Sequence, residues 1–307
     1  MAINKVGILG VGAVGSMLVD CLFAKHPDDL CVLATGSRSN RLAFDGLTVN
    51  GKTIHPKVRD VSAGINDIDL IIIAVKNYHL DSVVNDLEGR IAPGTFVLPV
   101  LNGVAATPTL AKAFPSARVL HGIVMRTDAE RRGHRVTYNT AGELQFGYAK
   151  NSPVADEIIE IKNWLSVDGL KPVVYPDMER MQWKKWLVNI GANQVSVLAR
   201  AEFRFFGRVS EIVELMRLSM DEILNIAKRK HVDLTEEDRD EVIQILINYP
   251  PHKKTSMLQD IEACRRTEID AFAGTVVEYG RELGIETPYN NALYLGIKAM
   301  EKVYLSE

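Results

Sequence analysis

Residues 6–17 read VGILGVGAVGSM, with Gly10, Gly12 and Gly15 at the spacing G-x-G-x-x-G. The residues just before the glycines, KVGIL at 5–9, have the composition of a strand. Those just after, from Ser16 to Lys25, have the apolar spacing of a helix. A strand, a glycine turn and a helix in direct succession can rest a dinucleotide's pyrophosphate on the N–H groups of a helix N-terminus. Gly10 then permits the tight turn, Gly12 lets the backbone approach the phosphates, and Gly15 lets helix and strand pack closely. Gly10, Val11, Gly12, Ala13, Val14 and Gly15 are therefore candidate cofactor contacts. The alternative is a glycine-rich turn without a ligand, and the flanking elements argue against it.

Outward from the loop, the first half of the chain alternates β-rich runs with helical stretches. LCVLA (30–34), LIIIAVK (70–76), TFVLPV (95–100), ARVLHGIVM (117–125), HRVTYN (134–139), GELQFGYA (142–149) and KPVVY (171–175) read as strands. Residues 156–165 read as a helix. The unbroken apolar run LIIIAV suits a strand buried on both faces. Alternating β and α units predict a parallel, doubly wound sheet of the Rossmann type, with an antiparallel extension from the later strands. After Pro176 the texture changes. Residues 177–200, 210–230, 236–247, 266–283 and 290–303 all carry helical spacing, punctuated by Pro250-Pro251, Gly284 and Pro288. The fold class expected is α/β, with a dinucleotide-binding domain over 1–176 and an all-helical domain over 177–307 that holds substrate.

Bulk properties exclude several classes. The 307 residues are 47% hydrophobic and 24% charged, the balance of a soluble globular protein. A net charge of −3 without a basic block argues against a nucleic-acid partner. Cys21, Cys31 and Cys264 form no C-x-x-C pair, so neither a disulfide framework nor a metal site is expected. The apolar run from Val6 to Leu22 resembles a signal peptide, but Asp20 interrupts it and no small-residue cleavage site follows. No apolar stretch reaches the ~20 residues of a membrane span. The chain reads as cytoplasmic.

Cofactor preference is read at the end of the second strand. NAD-preferring folds carry an acid there, roughly 20 residues past the glycines, to bind the ribose 2′-hydroxyl. Here the sequence is VLATGSRSNR (32–41), and no acid follows until Asp45. Ser37, Arg38 and Arg41 can bind a 2′-phosphate instead, or simply solvate a loop. The missing acid favours NADP(H).

In the helical half, WKKWLVNIGANQ (183–194) places Lys185, Asn189 and Asn193 at i, i+4 and i+8 on one face of a helix with apolar neighbours. Polar groups on a buried face need partners, whereas a solvated stripe does not. This stretch alone leaves both readings open. TSMLQDIEACRRTEID (255–270), with Ser256 and Glu268, reads by itself as an amphipathic helical region. VLNGV (100–104) reads as a strand-to-turn junction and AVKNY (74–78) as a strand end.

Taken together and in this order, these stretches resemble the ketopantoate reductase (2-dehydropantoate 2-reductase) family over nearly the whole chain. The K-x-x-x-N-x-x-x-N helix and SMLQD…TEID are the specific elements, and residues 280–302 are similar to the family's C-terminal helix region. The resemblance implies that Lys185 is the catalytic lysine and Glu268 the active-site glutamate. It places Asn189, Asn193 and Ser256 at substrate-contacting positions, Asn102 near nicotinamide and substrate, and Lys76 along the cofactor cleft. It implies NADPH-dependent reduction of ketopantoate to pantoate, a step of pantothenate and coenzyme A biosynthesis, at a cleft between the domains. A homodimer is among the assemblies the sequence allows.

The chemistry fits those roles. Hydride delivered to C2 of a 2-keto acid leaves negative charge on the carbonyl oxygen, which an ammonium can stabilise and protonate. Lys185 is the expected general acid, with Glu268 orienting it or bonding the substrate hydroxyl. Three departures from the family pattern stand out: Thr35 replaces the arginine at the second strand's end, Gln194 replaces a proline, and Ala273 replaces an asparagine. Either Arg38 takes over the role of the missing arginine or the NADP preference is weaker. Two alternatives compete with ketopantoate reduction: the same machinery acting on another 2-keto acid, and an NADP(H)-binding regulator without turnover.

Overall fold

The computed structural model describes residues 3–306. They form two compact units. One comprises the chain up to Leu101 together with Ala106–Glu179, and the other comprises Asn102–Ala105 and the chain from Arg180 onward.

The first unit begins with β1 (Val6–Leu9), α1 (Ala13–Phe23), β2 (Leu30–Ala34) and α2 (Gly36–Asp45). A short hairpin, β3 (Leu47–Val49) and β4 (Lys52–Ile54), leads to β5 (Lys57–Asp60), β6 (Leu70–Ile73) and α3 (Leu80–Leu87). Then follow β7 (Phe96–Pro99), α4 (Ala106–Ala113), β8 (Arg118–Val119), β9 (His121–Met125), β10 (Glu130–Arg132) and β11 (Arg135–Thr137). β12 (Glu143–Gly147), α5 (Asp156–Leu165) and β13 (Lys171–Val173) complete it.

Six strands make one all-parallel sheet in the order β5-β2-β1-β6-β7-β8. The order reverses between β1 and β6, the switch point at which a Rossmann sheet opens a crevice beyond its strand C-termini. Alternate residues of the four central strands, β2, β1, β6 and β7, enter two separate cores, because side chains point to opposite faces at period two. Leu70 and Ile72 pack with Met17, Leu18 and Leu22 of α1, while Ile71 and Ile73 pack with Val83 and Leu87 of α3. The continuous apolar run of β6 therefore reflects burial on both faces. Two small sheets are added, β10-β11-β3-β4 and β13-β12-β9. In the second, β9 and β12 run antiparallel, as the later strands predicted.

The second unit takes up α6 (Met178–Asn189) from Arg180 onward, then a π-helical segment over Ile190–Gln194 and α7 (Val195–Ala199) in unbroken succession. α8 (Ser210–Arg229), α9 (Glu236–Ile247), α10 (Ser256–Glu262), α11 (Ala273–Leu283) and α12 (Pro288–Leu305) complete it, and its described residues contain no strand. Trp186, Phe206, Met216, Met220, Phe272 and Ile297 are fully or nearly fully buried in its core. Thr235 and Asp238 close a capping box at the start of α9, and Pro288 opens α12, where its missing N–H has no intrahelical partner to lose.

Local structure departs from the sequence reading in several places. α1 starts at Ala13, three residues before Ser16, because the glycine turn itself forms the helix entry. Ser37, Arg38 and Arg41 lie on α2, not in a loop. That helix has so few apolar residues that periodicity could not reveal it. ARVLHGIVM divides at Leu120 into β8, which pairs with β7, and β9, which pairs with β12. Residues 266–283 are not one helix: a turn and a 3₁₀ segment (Ile269–Ala271) precede α11. The short strands β3, β4, β5 and β10 and the helices α3 and α4 had no adequate sequence signal.

Candidate active site

The glycine loop joins β1 to α1. Gly10 has φ +100°, and a Cβ there would lie 2.6 Å from Val75 Cγ1. A Cβ on Gly15 would fall 1.8 Å from the Gly10 carbonyl oxygen, so helix and turn approach at backbone distance. Folding alone demands both glycines. Gly12 differs: it has an ordinary φ of −77°, and a Cβ there would meet nothing within 4 Å. Open space above Gly12 is what a closely approaching ligand requires. Gly12 also caps α1 without any side-chain cap, leaving the N–H groups of the first turn, from Ala13 and Val14, without a side-chain acceptor. The loop can therefore hold a pyrophosphate.

Lys76 stands just past the C-terminal end of β6, whose Ile73 is in register with Leu9 of β1. The switch point thus brings Lys76 to the end of the sheet that carries the glycine loop. Thr35 caps α2, and Ser37 and Arg38 follow in its first turn. Asp60, at the end of β5, accepts a hydrogen bond from the Gly36 N–H at 3.1 Å. Sheet pairing of β5 with β2 therefore puts an acid beside the end of the second strand, 25 residues from Thr35 in sequence and invisible to a local reading.

The helical unit gathers the other candidates. Lys185 lies on α6 and is partly covered. Burial pushes its ammonium pKa down to about 8, against the attraction of the Glu268 charge, which raises it. Glu268 is only 5% exposed and accepts from Asn102 Nδ2 at 3.0 Å. The turn that carries it is pinned by Glu301 of α12, whose Oε1 accepts from Thr267 N at 2.6 Å and from Thr267 Oγ1 at 2.5 Å. Asn102 and Gly103 belong to this unit although they follow β7. Gln182 Nε2 donates to the Gly103 carbonyl at 3.2 Å, and Val104 enters the helical core.

A second chain of amides runs beside Lys185 on the same helix. The Met257 N–H donates to Asn193 Oδ1 at 3.2 Å, as does Ser256 Oγ at 3.1 Å. A backbone N–H can only donate, so it fixes which end of Asn193 is the oxygen. Asn193 Nδ2 then donates to Asn189 Oδ1 at 3.4 Å. Asn189 is left with a buried Nδ2 that has no hydrogen-bond partner among the described residues. A buried orphan donor is destabilising by about 1–3 kcal/mol unless a ligand accepts from it. The π-helical segment contributes to this alignment. α-Helical spacing drifts by about 40° every four residues, and a wider π turn offsets that drift between Asn189 and Asn193.

The structure thus brings Lys185, Glu268 and Asn102 together, and Asn189, Asn193 and Ser256 together, all within the helical unit. Sequence reading missed the residues that hold them. Thr255 caps α10 and shares a 2.5 Å hydrogen bond with Ser196 Oγ, setting the position of Ser256. Gln182, Thr267, Glu301 and Asp60 act from positions with no local signature. No group of three or more His, Cys, Asp or Glu suited to a metal exists among the described residues. No described helix is long and apolar enough to cross a membrane.

A doubly wound nucleotide-binding sheet, joined to a helical unit with a depressed-pKa lysine and buried amides, fits a nicotinamide-dependent oxidoreductase. The chain belongs to the ketopantoate reductase family: residues 6–151 match its model described as ketopantoate reductase PanE/ApbA, and residues 177–301 match the C-terminal model of the same description. The chain is 27% identical over 299 residues to the 2-dehydropantoate 2-reductase of Pyrobaculum aerophilum, covering 96% of this chain and 98% of that protein. Its fold matches that of a dimeric ketopantoate reductase from Staphylococcus aureus with a TM-score of 0.80, at 23% identity, over 98% and 99% of the two chains. It also matches a D-mandelate dehydrogenase solved with NADH and anilino(oxo)acetate, with a TM-score of 0.84, at 24% identity, over 98% and 99%.

Proposed function

We propose that this chain reduces a 2-keto acid to the 2-hydroxy acid with NADPH, that ketopantoate is the substrate, and that Lys185 is the general acid. The observation that carries the reading is the Lys185 ammonium, whose pKa is held near 8 beside the buried Glu268 carboxylate. A general acid works best when its pKa lies near the working pH, and a water-exposed lysine at its ordinary value is a poorer donor. When bound, the reduced nicotinamide supplies the hydride. Lys185 stabilises the charge that develops on the substrate's carbonyl oxygen and delivers a proton to it. Glu268 holds the lysine's orientation while Asn102 occupies one of its oxygens. The orphaned Nδ2 of Asn189 donates to the substrate carboxylate or its 4-hydroxyl, and Ser256 offers oxygen lone pairs without adding a competing anion.

Loss of NADPH absorbance on adding ketopantoate is the direct assay, run with NADH in parallel. Turnover with ketopantoate and a preference for NADPH are expected. A protein inert with ketopantoate at millimolar concentration overturns the substrate assignment. The likeness to a D-mandelate dehydrogenase, and the Asp60 carboxylate beside Gly36, favour one second reading: NADH-linked reduction of an aromatic 2-keto acid. Benzoylformate in the same assay separates the two. We also infer a homodimer, on the precedent of the dimeric Staphylococcus aureus enzyme, and light scattering at known concentration reads its mass.

A further inference from the structure

The side chains beside the glycine loop carry a charge pattern that the fold does not explain. A cavity of about 110 Å³ in the first unit is lined by Val11, Arg38, Arg41, Asp45, Arg131 and His134, among others. At ~30 Å³ per water it has room for about four waters, and so for a phosphate group. Three arginines enter it, and Asp45 is the one acid among the described lining residues.

Arg131 is the best placed of the three. It lies on β10, in the small sheet, far in sequence from the nucleotide motif. Its Nη1 donates to the Val11 carbonyl at 3.3 Å and its Nε to the Gly133 carbonyl at 2.8 Å. Both acceptors are neutral, so these bonds hold the guanidinium at the glycine loop without neutralising its charge. The neighbouring Arg132 shows the contrast, since its Nε meets Glu130 Oε1 at 3.0 Å. β11, the partner of β10, is held against α1 by Tyr138, whose hydroxyl donates to Asp20 Oδ2 at 2.7 Å. Burial lowers the pKa of Arg38, and the charges of Arg131 and Arg41 lower it further. Three like charges gathered with a single acid among them raise the energy of the fold until an anion joins them.

We propose that Arg131 reads the 2′-phosphate of the cofactor together with Arg38 and Arg41, supplying the cation that Thr35 does not. The inference rests on the NADP(H) reading above. A guanidinium presents a planar fork to a phosphate, and an arginine already fixed by two hydrogen bonds loses little freedom on binding it. In this chain a specificity determinant for the cofactor has moved from the end of β2 to the small sheet.

The test is the affinity of the whole protein for NADPH and for NADH, followed by the fluorescence of the reduced nicotinamide, in wild type, Arg131→Ala and Arg131→Lys. Loss of one charge-assisted contact predicts about 10- to 100-fold weaker NADPH binding in Arg131→Ala. NADH binding stays within about twofold, because that cofactor never used the contact. Arg131→Lys recovers only part of the loss, since an ammonium lacks the planar fork. Adenosine 2′-phosphate should out-compete adenosine 5′-phosphate against wild type and lose that advantage in Arg131→Ala. Equal loss for both cofactors would make Arg131 a mere prop of the glycine loop, and an unchanged NADPH affinity would remove it from recognition. Competition by inorganic phosphate as strong as by adenosine 2′-phosphate would make the cavity a free-anion site. Each of these overturns the inference while leaving NADP(H) in place. Wild-type protein that binds NADH and NADPH alike overturns the NADP(H) reading and the inference together.

Discussion

Asn102 Nδ2 donates to Glu268 Oε2 at 3.0 Å across 166 residues of sequence. The contact exists because four residues, Asn102–Ala105, leave the end of β7 and group with the helical unit. Gly103 is the residue that allows it. Its φ is +84°, and a Cβ there would lie 3.0 Å from the Ala271 carbonyl oxygen. Gly103→Ala is therefore expected to destabilise by about 1 kcal/mol or more, through both the left-handed backbone and the tight contact. For a chain of this size that is a fall of roughly 1–2 °C in Tm, and thermal unfolding checks it.

Lys185→Met tests the general acid against a structural role. Removing the proton donor should lower kcat by roughly 10²–10⁴-fold. The folded-state pKa of about 8 lies below the ordinary 10.5, so folding disfavours the charged lysine. Between those two values the unfolded chain holds a proton that the folded chain has released, and stability from this group rises with pH. At pH 7 the desolvation penalty is present in full. Lys185→Met should then melt no lower than wild type at pH 7, and a large loss of Tm would reassign Lys185 to structure.

The same pKa sets a pH profile. Only the protonated lysine can donate, so kcat/KM should hold below pH 8 and fall tenfold per unit well above it, with its midpoint at about 8. Steady-state rates between neutral pH and pH 10 measure this, and a flat profile would exclude Lys185 as the acid.

Asn189→Asp keeps the oxygen that Asn193 donates to and replaces the orphaned Nδ2 with a second acceptor. Loss of that donor, and repulsion of the substrate carboxylate, should raise KM for the keto acid by about 10-fold or more. NADPH affinity should be unchanged. A normal KM would show that Asn189 does not contact substrate.

Particular elements show how much was legible in the sequence. β2, α5 and α9 fall where their patterns placed them, because strong apolar periodicity and clear end signals dominate those segments. α2 was illegible: it is held by few apolar contacts, and its polar sequence has the texture of a loop. The region around Glu268 was misread as continuous helix, since its apolar spacing hides a turn that Glu301 pins from α12. Lys185, Asn189 and Asn193 recur at helical spacing, which placed them on one helix but left open whether that face meets a ligand or solvent. Arg131 and Asp60 act across sheet pairings, and spacing along the chain cannot register such contacts.

By itself the sequence determined the parallel sheet, the glycine turn and the lysine-bearing helix, because each arises from residues close together along the chain. Tertiary structure alone decided that Asn189 keeps an unpaired donor, that Glu268 is buried and bound to Asn102, and that an arginine from the small sheet lies at the glycine loop. Those facts depend on hydrogen bonds and charges between distant segments, which exist only once the cores on either side of the sheet and within the helical unit have closed.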